Sequence, residues 1–140
     1  MPDTNAAYEA PVSRSRQCPV AAVGTAGNDL TTDIAQVDAD GVISSVKYIP
    51  AAGITGANTN TRKVLLVNKH ADGSGATAVA TLQFNSGVNA TADVAKTITL
   101  SGTAADLAVS AGDILQWQST HLGSGITDPG GLVVVVVGRT

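Results

Sequence analysis

The stretch that decides the fold is "DPGGLVVVVVGRT", residues 128–140. Two glycines release the chain, a leucine and five valines follow, and a glycine closes the run. β-Branched side chains are stiff at χ1 and fit a pleated sheet, so residues 132–137 are predicted to form a strand. Successive side chains of a strand point to opposite faces. Val133, Val135 and Val137 therefore face one way, Leu132, Val134 and Val136 face the other, and both sets must escape water. Covering three such side chains contributes about 4–6 kcal/mol gross, at about 1.5–2 kcal/mol each, comparable with the net stability of a small domain. A flat strand left apolar on one side also invites edge pairing and aggregation. One face can meet the domain's own core. The other calls for an overlying arm, a second copy of the chain or another protein. Val133, Val135 and Val137 are the candidate subunit-interface residues, since a cyclic homo-oligomer would cover them with one repeated contact.

Upstream of the valines, the punctuation is that of an all-β domain: short alternating runs separated by Gly, Asn and Asp turns. "DIAQV" (33–37) and "VISSVKYI" (42–49) flank Asp40-Gly41, a hairpin-type turn. "RKVLLVNK" (62–69) is followed by the turn "HADGSG" (70–75) and by "ATAVATLQF" (76–84). In the last of these Val79, Thr81 and Gln83 share one face, and Ala80, Leu82 and Phe84 the other. "VAKTITLS" (94–101) and "ADLAVSAGDILQWQS" (105–119), the latter broken at Gly112-Asp113, bring the count to eight or nine strands. "GTAADLAVSA" is too short and Gly-bounded to be a convincing helix. The fold class expected is all-β: an antiparallel sandwich, jelly-roll-like, over residues 20–140. Residues 1–19 hold Pro2, Pro11 and Pro19, have little periodicity and read as an extended N-terminal arm.

Composition narrows the function. At 140 residues the chain is one ordinary domain with room for a core. The lone Cys18 cannot form an intrachain disulfide. Eight Lys and Arg against eleven Asp and Glu give a net charge of −3, without a basic cluster to meet phosphates, so no nucleic-acid partner is expected. The valine run is far short of the roughly 18–20 residues of a membrane span, and no membrane association is expected. The opening residues lack the apolar stretch of a secretory signal, which points to assembly in a cytoplasm.

Chemistry-bearing residues are few. Ser119, His121 and Asp128 lie close in sequence, but their spacing matches no nucleophile motif, and His121 reads as a hydrogen-bonded loop residue. Cys18 sits beside a proline on the arm, with nothing to fix it against a histidine. His70 and His121 are too few and too far apart for zinc. "DADG" (38–41) lacks the further ligands of a calcium loop, and "GSGITDPGG" (123–131) lacks the Lys-Ser/Thr of a phosphate loop. Trp117 shares a strand face with Leu115 and is expected in the core. A sugar-stacking platform is the sharper alternative. No enzyme and no cofactor are expected.

From Val46 to Val137 the chain resembles the capsid decoration (cement) proteins of tailed bacteriophages, small virion proteins with β-sandwich folds. The most distinctive part is "VSAGDILQWQSTHLGSGITDPGGLVVV" (109–135), a series of turns and strands without catalytic residues. The resemblance implies a structural protein on the capsid exterior that stabilises the shell, commonly as a homotrimer, with an arm extending over the major capsid protein. By position and residue type, the arm's contacts would be Tyr8, Val12, Arg14, Arg16 and Cys18. Alternatives on the same fold are a carbohydrate-binding module, with "STHLGSGITDPGG" as its loop, and a head-fibre or tail component.

Overall fold

A computed structural model describes residues 13–139, which form two five-stranded antiparallel sheets packed face to face. Ten strands are present among the described residues: β1 Ser13–Val20, β2 Leu30–Gln36, β3 Gly41–Pro50, β4 Thr61–Asn68, β5 Thr77–Gln83, β6 Lys96–Thr97, β7 Thr99–Leu100, β8 Ala108–Val109, β9 Ile114–Leu122 and β10 Gly131–Arg139. A single helical turn, α1, spans Ala104–Leu107, where the sequence predicts no convincing helix. The first sheet runs β1-β10-β3-β6, with β8 also on β3; the second runs β2-β9-β4-β5-β7.

The pairing has a simple logic. β1 pairs with β10, β2 with β9, β3 with β8, and β4 with β5. The chain is thus one long antiparallel ribbon, with the β4–β5 hairpin at its tip, wrapped so that alternate pairs fall in opposite sheets. That is jelly-roll order, and it agrees with the fold class expected from sequence. The ribbon stays paired where it crosses between sheets: Val23 and Asp128 exchange backbone hydrogen bonds at 2.8 and 3.0 Å, and Val37 exchanges bonds with Asp113 and Gly112 at 2.8 and 2.7 Å.

Two sequence expectations are corrected by this wrapping. Asp40-Gly41 does not close a hairpin, because β2 and β3 lie in different sheets. Asp40 instead accepts a hydrogen bond from the Ala111 amide at 2.9 Å, and its carboxylate ties the crossover to the returning half of the ribbon. Residues 13–19, counted with the arm, are extended as expected but form β1, registered residue by residue against β10 from Ser13↔Gly138 to Val20↔Gly131. The sandwich therefore begins by residue 13.

The turn predicted at 70–75 does close the β4–β5 hairpin, with His70 and Gly73 at positive φ. The Asn68 and Asp72 side chains accept bonds from the His70 and Ser74 amides there, in the manner of Asx turns. A bulge between Leu66 and Val67 places Val79 and Ala80 both inside, breaking the strict alternation expected for β5. The core is built mainly of Val, Ile and Leu around Trp117, Tyr48 and Phe84, each fully buried. The Tyr48 and Trp117 rings meet at 5.3 Å, tilted by 49°, in the range aromatic pairs prefer.

Candidate interaction surface

β10 is a central strand of the first sheet, between β1 and β3, so register and pleat settle which of its faces looks inward. Val133 and Val135 are 0 % exposed and Val137 9 %, all packed in the sandwich core. The residues expected at a subunit interface are therefore this chain's own core, and the face left outward belongs to Leu132, Val134 and Val136, each half-buried. Parity was not legible, because a run of five valines looks the same from both sides. Register carries the outward column across the sheet: Pro19, Gln17 and Ser15 flank it on β1, and Ile49, Lys47 and Ser45 on β3. Val42, which pairs with Gly138, extends the apolar surface and is exposed. Among the described residues Lys47 is the charged one in this array, and no acidic side chain interrupts it.

The outward face of the second sheet is built otherwise. Gln116 donates to Asp33 at 3.0 Å, Gln118 to Gln116 at 2.9 Å, and Gln83 to Thr61 at 3.0 Å. These side chains form a polar mesh across four strands, over Leu65 and Val67.

The tempting Ser119, His121 and Asp128 set is divided. Ser119 donates to Asp128 at 2.6 Å and accepts from the Arg62 guanidinium at 3.1 Å, while His121 takes Asp29 instead, with Nδ1 at 2.6 Å and its amide at 2.8 Å. Those bonds hold the Asp29 carboxyl below its ordinary pKa, the backbone amide of His121 contributing most. Ser119, Asp128 and Arg62 are buried. Tyr48 completes the cluster with a 2.5 Å bond to Asp128, and burial first, then that carboxylate, push the phenol's pKa up. Arg62 also donates to the carbonyls of Ala26, Asn28 and Ile126. The cluster buckles the 21–29 and 123–130 loops to the sheets. The Gly130 amide, donating to Asp128, belongs to it as well, and its φ of +73° is a conformation that glycine adopts without strain. Every member has partners within the fold, and together they clasp the two loops to the sheets. Sequence alone held no sign of it, since Arg62 opens a strand like any surface arginine.

Among the other candidates, Trp117 is fully buried and cannot serve as a stacking platform. His70 lies 4.0 Å from Asp113, and no group of three or more potential metal ligands occurs among the described residues. Tyr8 and Val12 lie outside the described residues. Cys18 is a free, partly buried thiol on the inward side of β1. Arg14 and Arg16 also point inward from β1, to the open end of the sandwich, where both reach Asp38 at 3.2 and 2.8 Å. Partial desolvation works against the Asp38 carboxylate, but Arg16 and Arg14 outweigh it and hold its pKa below the ordinary value.

No protein-family model matches this chain, and no curated protein does. A solved structure to which it is similar is that of infectious bursal disease virus, Gx strain. The match has 11% sequence identity and a TM-score of 0.38, and covers 92% of this chain and 32% of that one. A likeness of that degree has no bearing on function, which rests here on the chain's own surfaces.

Proposed function

We propose that this protein is a structural component of a bacteriophage virion that binds the outside of the capsid as a homotrimer and stabilises the shell. The observation that carries the reading is the aliphatic column Leu132, Val134, Val136 on the outward face of a central strand, with Ile49 beside it. A contiguous apolar surface on a sheet face marks an interaction site, and the occupant assigned to it is a second copy of this chain. The resemblance over residues 46–137 supplies the setting, a shell of major capsid protein. In this reading Tyr8 and Val12, ahead of β1, supply apolar anchors on that shell, and no cofactor takes part.

The test has two arms. Light scattering on the purified protein is expected to give three chain masses, and a single chain mass at every concentration overturns the self-assembly. Imaging of phage particles carrying a labelled copy is expected to place it on the head exterior; label confined to the tail overturns the capsid role in favour of a tail component.

A further inference from the structure

We propose that the open end of the sandwich, where β1 and β10 meet the segment after β2, is a docking site for an acidic protein segment, held by Arg14, Arg16 and Arg139. The proposal concerns a different surface from the aliphatic column and does not depend on the partner being a capsid protein.

Three observations carry it. First, register converges the arginines. Arg14 lies opposite Val137 and Arg16 opposite Val135, and Arg139 follows Val137 by two residues on the same face of β10. All three line one depression, together with Asp38 and apolar residues that include Val37 and Val137. Second, charge is unbalanced there. Among the described residues three guanidiniums face one carboxylate there, on a chain whose net charge is −3. Asp38 is shared between Arg14 and Arg16, and Arg139 has no salt-bridge partner among the described residues. Third, Asp38 shows which chemistry the site accepts: a carboxylate, at 2.8 and 3.2 Å from two guanidinium nitrogens. Arg is suited to that role, because its planar fork meets a carboxylate with directed hydrogen bonds.

The depression holds about 10 Å³, room for about one water. The guest therefore lies across the rim and offers Asp or Glu side chains to the arginines, with no side chain buried beneath. Such a contact pairs rim charges and depends on ionic strength. A nucleic acid fits less well, since tight backbone binding uses about six to ten phosphate contacts, and this rim offers three cations. Asp38 competes with any guest, and its removal frees two guanidiniums at once.

The probe is a capped hexaglutamate peptide, titrated into the ¹⁵N-labelled protein while the arginine Nε signals are followed. At low salt, the Nε signals of Arg14, Arg16 and Arg139 are expected to shift together and saturate. Arg16→Ala with Arg139→Ala is expected to weaken binding about tenfold, and Asp38→Asn to tighten it severalfold, by loss or gain of charge-assisted bonds. Raising the salt to about 0.3 M is expected to weaken it further. All three arginines reach solvent, so the variants should melt near the wild-type temperature, which a thermal scan confirms. The proposal is overturned by any of three results: equal perturbation near Lys47, Lys63, Lys69 and Lys96; no response to Asp38→Asn; or the same shifts at lower concentration with inorganic phosphate or an oligonucleotide.

Discussion

The two outward faces of the sandwich cover the same core, yet they are finished with different residues. On the second sheet, Gln83, Gln116 and Gln118 bond to Thr61, Asp33 and one another, a lattice of amides that water can share. On the first, Leu132, Val134 and Val136 run unbroken down the central strand, with Lys47 as the charge beside them. The difference teaches that strand alternation alone does not make a surface: what stands at the outward positions decides whether that side meets water or another molecule.

The sharpest way to break the comparison is to place one charge on either side of β10. Val135→Asp puts a carboxylate into the fully buried core, and the protein is expected to lose most of its stability, by more than about 4 kcal/mol, or to fail to fold. Val134→Asp, one residue away, should fold with a loss of about 1 kcal/mol and run as a single chain by light scattering. Equal destabilisation of the two variants in a urea titration would show that the outward column is core after all.

A milder variant makes the polar sheet resemble the aliphatic one. With Gln116→Val and Gln118→Val together the fold should hold to within about 1 kcal/mol, while the new aliphatic column drives concentration-dependent association, measured by sedimentation. If the double variant keeps the wild-type mass at high concentration, an apolar column on this fold is not sufficient for assembly.

The smallest effect lies where the first sheet reaches over to the chain leaving the second, at Arg14, Arg16 and Asp38. The Asp38 carboxyl has a folded-state pKa below its ordinary value of 3.8. Its stabilising contribution is therefore fully present above pH 3.8 and is lost as pH falls through the lower folded value. Melting temperatures recorded from pH 5 down to about pH 2.5 should fall slightly more for the wild type than for Asp38→Asn. A parallel fall in the two proteins would mean the pair contributes nothing measurable, as many exposed ion pairs do.

What the sequence made legible was local. Period-two alternation, the β-branched runs and the turn at 70–75 are set by neighbours along the chain, and they mark the strands and the fold class. Residues 13–19 were unreadable as a strand, because polar Ser, Arg and Gln carry little β signal and their partner, β10, is more than a hundred residues away in register. Asp40-Gly41 has the composition of a hairpin turn, and nothing nearby says that the ribbon changes sheets at that point. The same holds for the surfaces. Two apolar faces on β10 could be foreseen, but which of them is the core depends on where β1 and β3 pair with it. Arg62 and Asp128, sixty-six positions apart, meet around Ser119 only in the wrapped ribbon.

The placement of β10 has a consequence for how the molecule comes into being. It is made after the other nine strands, yet it lies between β1 and β3. Until residues 131–139 leave the ribosome, the first eight-residue strand has no partner and the longest strand, Gly41–Pro50, has an open flank. Closure must then join distant parts of the chain at once, the slow kind of folding step. Until residues 131–139 are made, the first sheet therefore lacks the strand that joins β1 to β3.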